Sequence, residues 1–397
     1  MSQIEIPAFC AEILKRLEKA GFEAWLVGGC LRDSLLSRPC HDWDIATCAA
    51  PCKVTEIFEK TVPTGIRYGT VTVFCGSGKA EVTTFRSECA YDDFRRPSSV
   101  NFEGSIAADL SRRDFTVNAM AFYPDRGLFD PFDGRSDLNA GLIRAVGEPA
   151  ERFKEDALRI LRAFRFCAQL GFTLEKQTLD AAVNTAGLVE KVSGERIKSE
   201  IDRILMSENP LQVFDLVNSN ALDFLKFIPP SDSFALEKTP FVPAARWAAF
   251  FYLCVPESAQ TAVFEKLHFD RETRGYTEWL IKELKRQPPC QGVEIKKSLS
   301  SGVSPERYAV YLRLYHALLG SDTEPQLSAL AGILKNNEPY CARMLAVNGG
   351  DLVRAGIGQG QECGRILGLL LERVIENPSL NNKTALLELV NNLKGYH

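Results

Sequence analysis

Residues 26–47 read LVGGCLRDSLLSRPCHDWDIAT, and this stretch decides the fold of the N-terminal part of the chain. A short apolar strand over 24–27 breaks at Gly28 and Gly29, where a helix that carries Arg32 is predicted to begin. Glycines let the backbone approach a phosphate closely, and the first turn of a helix offers free N–H groups to an anion. The planar guanidinium of Arg32 can reach the same anion. This arrangement predicts a phosphate site, although it is neither a Walker P-loop nor a GxGxxG motif.

A pair of aspartates follows the predicted helix. Residues 41–46 alternate at period two and predict a strand on which Asp42 and Asp44 project from one face. Like charges this close repel unless a cation neutralises them, and oxygen ligands with open positions suit Mg²⁺. Glu81, inside another predicted strand, is a candidate third ligand. Two aspartates at this spacing are, taken alone, more often solvated surface charge, and the adjacent phosphate site is what favours a metal.

The rest of the chain divides into an α/β part and a helical part. Residues 8–20 predict an amphipathic helix, and residues 70–74 and 79–85 predict strands joined by a glycine turn. These elements indicate a mixed domain around a small, largely antiparallel sheet. After Pro149 nearly every segment predicts helix, so the expected fold class is α+β.

Composition is that of an ordinary globular protein. The 397 residues, 45% of them hydrophobic and 25% charged, predict several domains or subdomains. No apolar run approaches the roughly 18 residues of a membrane span, and the N-terminus lacks the pattern of a signal peptide. We therefore expect a cytoplasmic protein with no membrane partner. The net charge of −4 argues against a uniform basic coat for nucleic acid but leaves a local basic face open.

The cysteines do not form a recognisable metal motif. All twelve are irregularly spaced, no CxxC pair occurs, and the four histidines are scattered. A zinc site needs clustered ligands, so reduced and mostly buried thiols are the better interpretation.

A charged stripe recurs at every third residue in the segment 155–165. On a helix, Asp156, Arg159, Arg162 and Arg165 would drift slowly around one side. Solvent would tolerate such a stripe, but apolar residues occupy most of the intervening positions. The pattern therefore favours charges that line a cleft.

Ordered motifs identify a family. Residues 26–47 resemble the signature of the class II tRNA nucleotidyltransferases and bacterial poly(A) polymerases of the polymerase-β superfamily. The resemblance continues through the segments 64–70, 112–119, 130–134, 155–166 and 348–352 and so runs nearly end to end, as in the shorter bacterial members. It implies a nucleotidyltransferase head at 1–148, a base-recognising neck at 149–206, a helical body at 207–290 and a tRNA-binding tail at 291–397.

The resemblance also assigns roles to residues. Asp42 and Asp44 match the aspartates that hold Mg²⁺, and Glu81 matches the third carboxylate. Gly28, Gly29, Arg32 and Arg113 fall in the segments that hold the nucleotide and its phosphates.

The neck is expected to choose the base. By resemblance, Asp156 and Arg159 hydrogen-bond the base edge of the incoming nucleotide, which allows C and A to be selected without a template. Arg162 and Arg165 would contact phosphates or buttress the site.

Several family activities share this core, and full addition of C, C and A to tRNA from CTP and ATP is the expected one. The segment 88–97 occupies a loop that is shortened in CC-only enzymes, and the chain ends without the basic run of poly(A) polymerases. A-only addition, CC-only addition and poly(A) synthesis remain the alternatives, and a homodimer is left open. A non-catalytic RNA-binding protein would be expected to lose Asp42 or Asp44, and an antibiotic-modifying enzyme would not need the stripe at 156–165.

Overall fold

The computed structural model describes residues 4–40, 42–65, 69–91, 97–102, 105–225, 227–228 and 234–394, with the backbone alone for 87–91, 97–102, 234 and 393–394. It divides into two compact units. Unit 1 comprises residues 1–231 and 254–269, and unit 2 comprises residues 232–253 and 270–397.

Unit 1 begins with a mixed sheet flanked by helices. Its strands are β1 (Ala24–Val27), β2 (Asp44–Thr47), β3 (Thr61–Gly65), β4 (Thr70–Cys75), β5 (Gly78–Thr84), β6 (Arg86–Tyr91), β7 (Pro97–Phe102), β8 (Ala121–Tyr123), β9 (Gly127–Phe129), β10 (Leu142–Ile143) and β11 (Thr173–Leu174). In the described part of the chain, seven of them form one sheet in the order β3-β4-β5-β2-β1-β8-β9. Within this sheet only β2 and β5 pair in parallel. The predicted α+β class with a small, largely antiparallel sheet is confirmed.

The helices of unit 1 are α1 (Ala8–Lys19), α2 (Gly29–Leu35), α3 (Pro51–Ile57), α4 (Ile106–Ser111), α5 (Gly134–Ala140), α6 (Pro149–Glu155), α7 (Leu158–Leu170), α8 (Lys176–Asn184), α9 (Gly194–Leu205), α10 (Gln212–Asn218) and α12 (Glu257–Lys266). The helix α1 buries Ile13, Leu14 and Leu17 in the same core as Val71 and Val82 of the sheet. Apolar residues that recur at helical spacing on α1 and alternate along β4 and β5 therefore meet in one core.

Among the described residues of unit 2, all regular secondary structure is helical. It holds most of α11 (Pro243–Cys254), and α13 (Arg271–Leu284), α14 (Gly292–Ser300), α15 (Pro305–Leu319), α16 (Glu324–Lys335), α17 (Gly349–Arg354), α18 (Gln361–Glu376) and α19 (Lys383–Lys394). Asn348 and Asp351 form a capping box at the start of α17, and Lys383 donates to Asp351 at 2.6 Å. Among the described residues, no helix combines the length and the apolar character needed to cross a membrane.

Two local predictions differ from the structure. The strand predicted over 41–46 begins only at Asp44, so Asp42 precedes it and is exposed. The helix predicted through 155–165 is interrupted, because Asp156 adopts an extended conformation (φ −141°, ψ 104°) between α6 and α7. Its carboxylate accepts a hydrogen bond from the backbone N–H of Leu158 at 3.1 Å, a local bond that competes with helix continuation. Asp156 therefore lies at the start of the stripe of α7 arginines and not within one continuous helix.

The segment 88–97, expected to be a loop, is partly strand. Residues 86–91 and 97–102 pair as an antiparallel ribbon, and residues 92–96 lie outside the described residues. Residues 66–68 of the family-like segment 64–70 also lie outside them.

Gly194 allows α9 to lie against the segment at Lys266, because a Cβ at this position would overlap the Lys266 carbonyl oxygen. We predict that Gly194→Ala lowers the free energy of unfolding by about 3 kcal/mol, since backbone must move to admit the methyl group. Urea denaturation measures the change. Gly187→Ala is the matched control, because a Cβ there has no atom within 4 Å. Equal stability of the two variants would contradict this packing.

Candidate active site

One cavity in unit 1, of about 1140 Å³, brings together nearly all the residues predicted to act on the nucleotide. Of the predicted residues, its lining includes Gly28, Gly29, Arg32, Asp42, Asp44, Arg113, Asp156, Arg159, Arg162 and Arg165. Glu81 is the exception. It is exposed on β5 and does not line the cavity, although it lies directly beside Asp44 in the parallel pairing of β2 and β5.

The carboxylate of Asp44 lines the cavity and has a raised pKa. Burial raises the pKa of Asp44 to about 6, and the positive charge of Arg113 opposes this rise. Glu81 and Asp42 then raise the pKa further, because each adds negative charge nearby. A cation bound at this point would relieve both effects.

Gly28 is required by the backbone and by its neighbours. Its φ of +78° is a conformation that L-residues rarely adopt. A Cβ would also stand 3.1 Å from Arg113 Nη1 and 3.3 Å from Asp44 Oδ2. Because Gly28 has no side chain, both the guanidinium of Arg113 and the carboxylate of Asp44 can approach the start of α2.

Arg32 and Arg113 are oriented by polar side chains around that start. Arg32 Nη1 donates to Asn118 Oδ1 at 2.9 Å, and its other nitrogens donate to Asp33. Arg113 Nη2 donates to the buried Asp109 at 3.1 Å. Both guanidiniums keep part of their surface in the cavity and can contact an anion there.

Another part of the lining comes from α7, whose arginines are held by carboxylates, two of them buried. Arg162 Nε donates to Asp114 Oδ2 at 2.8 Å. Burial alone would raise the pKa of Asp114, but Arg162 holds it well below its usual range. Arg165 Nε lies 3.1 Å from Glu200 Oε2 without hydrogen-bond alignment, and both side chains are buried. Burial lowers the pKa of Arg165 to about 10, a shift that Glu200 opposes.

Asp156 and Arg159 lie at the start of α7. Asp156 Oδ2 accepts from Arg196 Nη2 of α9 at 3.0 Å. Arg159 Nη1 donates to Glu155 at 2.7 Å, and its Nη2 donates to the Arg112 carbonyl at 2.9 Å. A carboxylate acceptor and a guanidinium donor are thus fixed near each other, as recognition of a base edge requires.

Comparison with known proteins places this site in a family. The protein-family model described as "Poly A polymerase head domain" matches residues 24–144. A second family model, described as "Probable RNA and SrmB- binding site of polymerase A", matches residues 171–228. A protein of Limosilactobacillus fermentum described as a CCA-adding enzyme is 37% identical, with 96% of each chain covered. A CCA-adding enzyme of Streptococcus suis is 36% identical and covers 95% of this chain and 94% of its own. The chain belongs to the CCA-adding enzymes.

Solved structures agree with this membership. The crystal structure of the Bacillus stearothermophilus CCA-adding enzyme in complex with CTP is 27% identical, with a TM-score of 0.80 over 98% of this chain and 97% of that one. A Thermotoga maritima CCA-adding enzyme complexed with tRNA, 23% identical with a TM-score of 0.64, shares the fold. The predictions of an enzyme and of this superfamily are confirmed, and the chain is a nucleotidyltransferase of a family that depends on divalent metal.

The carboxylate oxygens of this site suit a hard cation, some of whose coordination positions stay open for substrate and water. Within the described residues no three Asp, Glu, His or Cys side chains converge as a complete ligand cluster. The site of this CCA-adding enzyme therefore offers carboxylate oxygens on one side, and substrate phosphates and water would complete the coordination of a bound ion.

Sequence reasoning missed several residues that shape the site. Asp109 and Asp114 hold arginines of the cavity, and Asn118 orients Arg32. On α9, Arg196 and Glu200 hold Asp156 and Arg165. The signal available for Arg196 and Glu200 was their i,i+4 spacing on a strongly amphipathic helix, which places both on one face.

We predict that Asp114→Ala lowers the free energy of unfolding by about 3–5 kcal/mol, because it leaves the guanidinium of Arg162 without its buried partner. Chemical denaturation at pH 7 measures the loss. Asp125→Ala removes an exposed aspartate and is expected to change stability by less than about 0.5 kcal/mol. A loss for Asp114→Ala no larger than that of the control would show that the ion pair does not stabilise the fold.

Proposed function

We propose that this CCA-adding enzyme synthesises and repairs the 3′ end of tRNA by template-independent addition of C, C and A from CTP and ATP, with release of diphosphate. One observation carries the proposal: a single cavity is lined both by the aspartates Asp42 and Asp44 and by the pair Asp156 and Arg159. The names of the relatives, and the CTP complex of the 27% identical enzyme, support the same activity.

Asp42 and Asp44 are the proposed magnesium ligands, with Glu81 beside Asp44 as a further carboxylate. When bound, Mg²⁺ lowers the pKa of the attacking 3′ hydroxyl and stabilises charge on the leaving diphosphate. The protein contributes the position of the ligands, since β2 and β5 place Asp44 and Glu81 at neighbouring points of one sheet. It also contributes partial burial of Asp44, which disfavours an unneutralised carboxylate.

Gly28, Gly29, Arg32 and Arg113 are the proposed triphosphate residues. The absence of a side chain at Gly28 lets phosphate oxygens approach between Arg113 and Asp44. The two guanidiniums neutralise phosphate charge and hold the α-phosphorus in line with the RNA 3′ hydroxyl.

Asp156 and Arg159 are the proposed base readers. The Asp156 carboxylate accepts from the exocyclic amine of cytosine or adenine, and Arg159 donates to a ring acceptor. Uracil and guanine present an oxygen where that amine stands, so the carboxylate would face a second acceptor. Arg165 is buried against Glu200, which favours a buttressing role, whereas Arg162 is paired with Asp114 but partly exposed and can also contact a phosphate.

The proposed division of labour assigns catalysis to 1–148, base recognition to 149–206 and tRNA binding to the body at 207–290 and the tail at 291–397. A tRNA-processing enzyme works where tRNA is matured and used, which supports the cytoplasm as its location.

The direct test is incubation of purified protein with tRNA that ends at the discriminator base, with CTP and ATP singly and together. We expect CC with CTP alone and CCA with both, read by 3′-end sequencing. Ends that stop at CC with both nucleotides present would contradict full addition. Addition of A alone, only to tRNA that already ends in CC, would indicate an A-adding enzyme, and a homopolymer tail on unrelated RNA would indicate a poly(A) polymerase.

We predict that Asp42→Ala reduces every nucleotide addition by about a thousandfold or more, because the metal ligand is lost. Chelation with EDTA should abolish addition in the wild type, and Mg²⁺ should restore it. Asp125→Ala is the matched control, since it removes an exposed aspartate away from the cavity. Retention of near wild-type rates in Asp42→Ala would remove this residue from the proposed metal site.

Asp156→Ala has a different expected effect. We predict that it narrows the preference for CTP over UTP by about tenfold to a hundredfold, because one hydrogen bond to the base edge is lost. Single-turnover incorporation of each of the four nucleotides measures this ratio. A uniform loss for all four, with unchanged ratios, would contradict base reading by Asp156.

A further inference from the structure

The cavity is lined by more arginines than the proposed nucleotide contacts require. Among the described residues, nine arginines line it, and seven of them have a carboxylate partner. These pairs are Arg32 with Asp33, Arg112 and Arg113 with Asp109, Arg159 with Glu155, Arg162 with Asp114, Arg165 with Glu200, and Arg196 with Asp156. The two others are Arg86, which makes further interactions, and Arg203.

Arg203 is different from the other arginines of the cavity. It is exposed, lines the cavity and makes no ion pair with any residue that the structure describes. It also lies close enough to Arg165 to lower the pKa of that residue, after the larger effect of burial. Two guanidiniums near each other, with one of them unpaired, form a site where an anion would be stabilised.

The position of Arg203 follows from the packing of α9 on α7. Arg196, Glu200 and Arg203 recur at i, i+4 and i+7, so they share one face of α9. Arg196 contacts Asp156, which lies just before α7, and Glu200 contacts Arg165 within α7. Arg203 lies one turn beyond Glu200, the partner of Arg165, and it lines the cavity, as does Gln169.

Arg203 is remote from the base-reading end. Seven residues of helix separate Arg203 from Arg196, a rise of about 10 Å. The base and the triphosphate already have proposed partners, at Asp156 and Arg159 and around Gly28. The second polyanion of the reaction is the RNA strand whose 3′ end is extended.

We propose that Arg203 binds a backbone phosphate of the RNA substrate near its 3′ end. The inference rests on the proposed function, because it takes the RNA strand as the second occupant of the cavity. A guanidinium donates to phosphate oxygens in any sequence, so this contact would position the strand without reading it.

The test compares Arg203→Gln with the wild type in steady-state addition of C to tRNA that lacks CCA. The KM for tRNA is expected to rise about tenfold, while the KM for CTP stays within about twofold and kcat is retained. The slope of log Kd for tRNA against log salt should fall by about 0.7, the loss of one phosphate contact on a single strand. Arg203→Lys should recover most of the affinity, because it restores the charge.

Lys79→Gln is the matched control, because it removes one positive charge from an exposed position of unit 1 outside the cavity lining. It is expected to leave both KM values unchanged. An increase in the KM for CTP instead of tRNA, or an Arg203→Gln variant indistinguishable from Lys79→Gln, would overturn the proposal.

Binding is measured separately with fluorescently labelled tRNA and no nucleotide. A wild type that binds tRNA but adds no nucleotide would contradict the proposed function. The dependence of that binding on Arg203 would still decide the inference.

Discussion

The buried ion pairs of the α7 arginines are the interaction on which the rest of the site depends. Arg162 holds the buried Asp114, and Arg165 and Glu200 are buried together, so none of these buried charges is left without a partner. These pairs connect α7 to the segment after α4 and to α9. They fix one wall of the cavity, and they leave groups at its two ends, Asp156 and Arg203, able to contact substrates.

Around Asp44, by contrast, the cavity carries an excess of negative charge. Asp44 is partly buried next to Asp42 and Glu81, and Arg113 only partly compensates this negative charge. On the proposed assignment, a nucleoside triphosphate with a divalent cation would suit both groups of residues, because the cation would meet the carboxylates while the base would reach Asp156 and Arg159. One cavity would thus join phosphoryl chemistry to base selection.

Local signals in the sequence were sufficient for several elements at the start of unit 1. Apolar alternation predicted β4 and β5, and glycines predicted the break between β1 and α2. The parallel register that sets Glu81 beside Asp44 could not be predicted, since it depends on long-range strand pairing. The interruption at Asp156 was missed because the spacing of charges matches a helix whether or not the backbone continues.

The sequence also did not predict which charged residues form ion pairs with each other. Nothing local in the sequence indicates that Arg165 pairs with Glu200, 35 positions later, or that Arg196 holds Asp156. The ordered family motifs supplied the candidate residues, while the structure supplied the contacts that decide which arginines are already occupied.

The most direct measurement is a Mn²⁺ titration followed by electron paramagnetic resonance, with a non-reactive CTP analogue present. We predict that the wild type and Asp156→Asn bind the ion equally at saturating analogue, whereas Asp44→Asn binds it at least about tenfold more weakly. Asp156→Asn is the control because it changes another carboxylate of the same cavity. Unchanged Mn²⁺ affinity in Asp44→Asn would contradict a metal site at the start of β2.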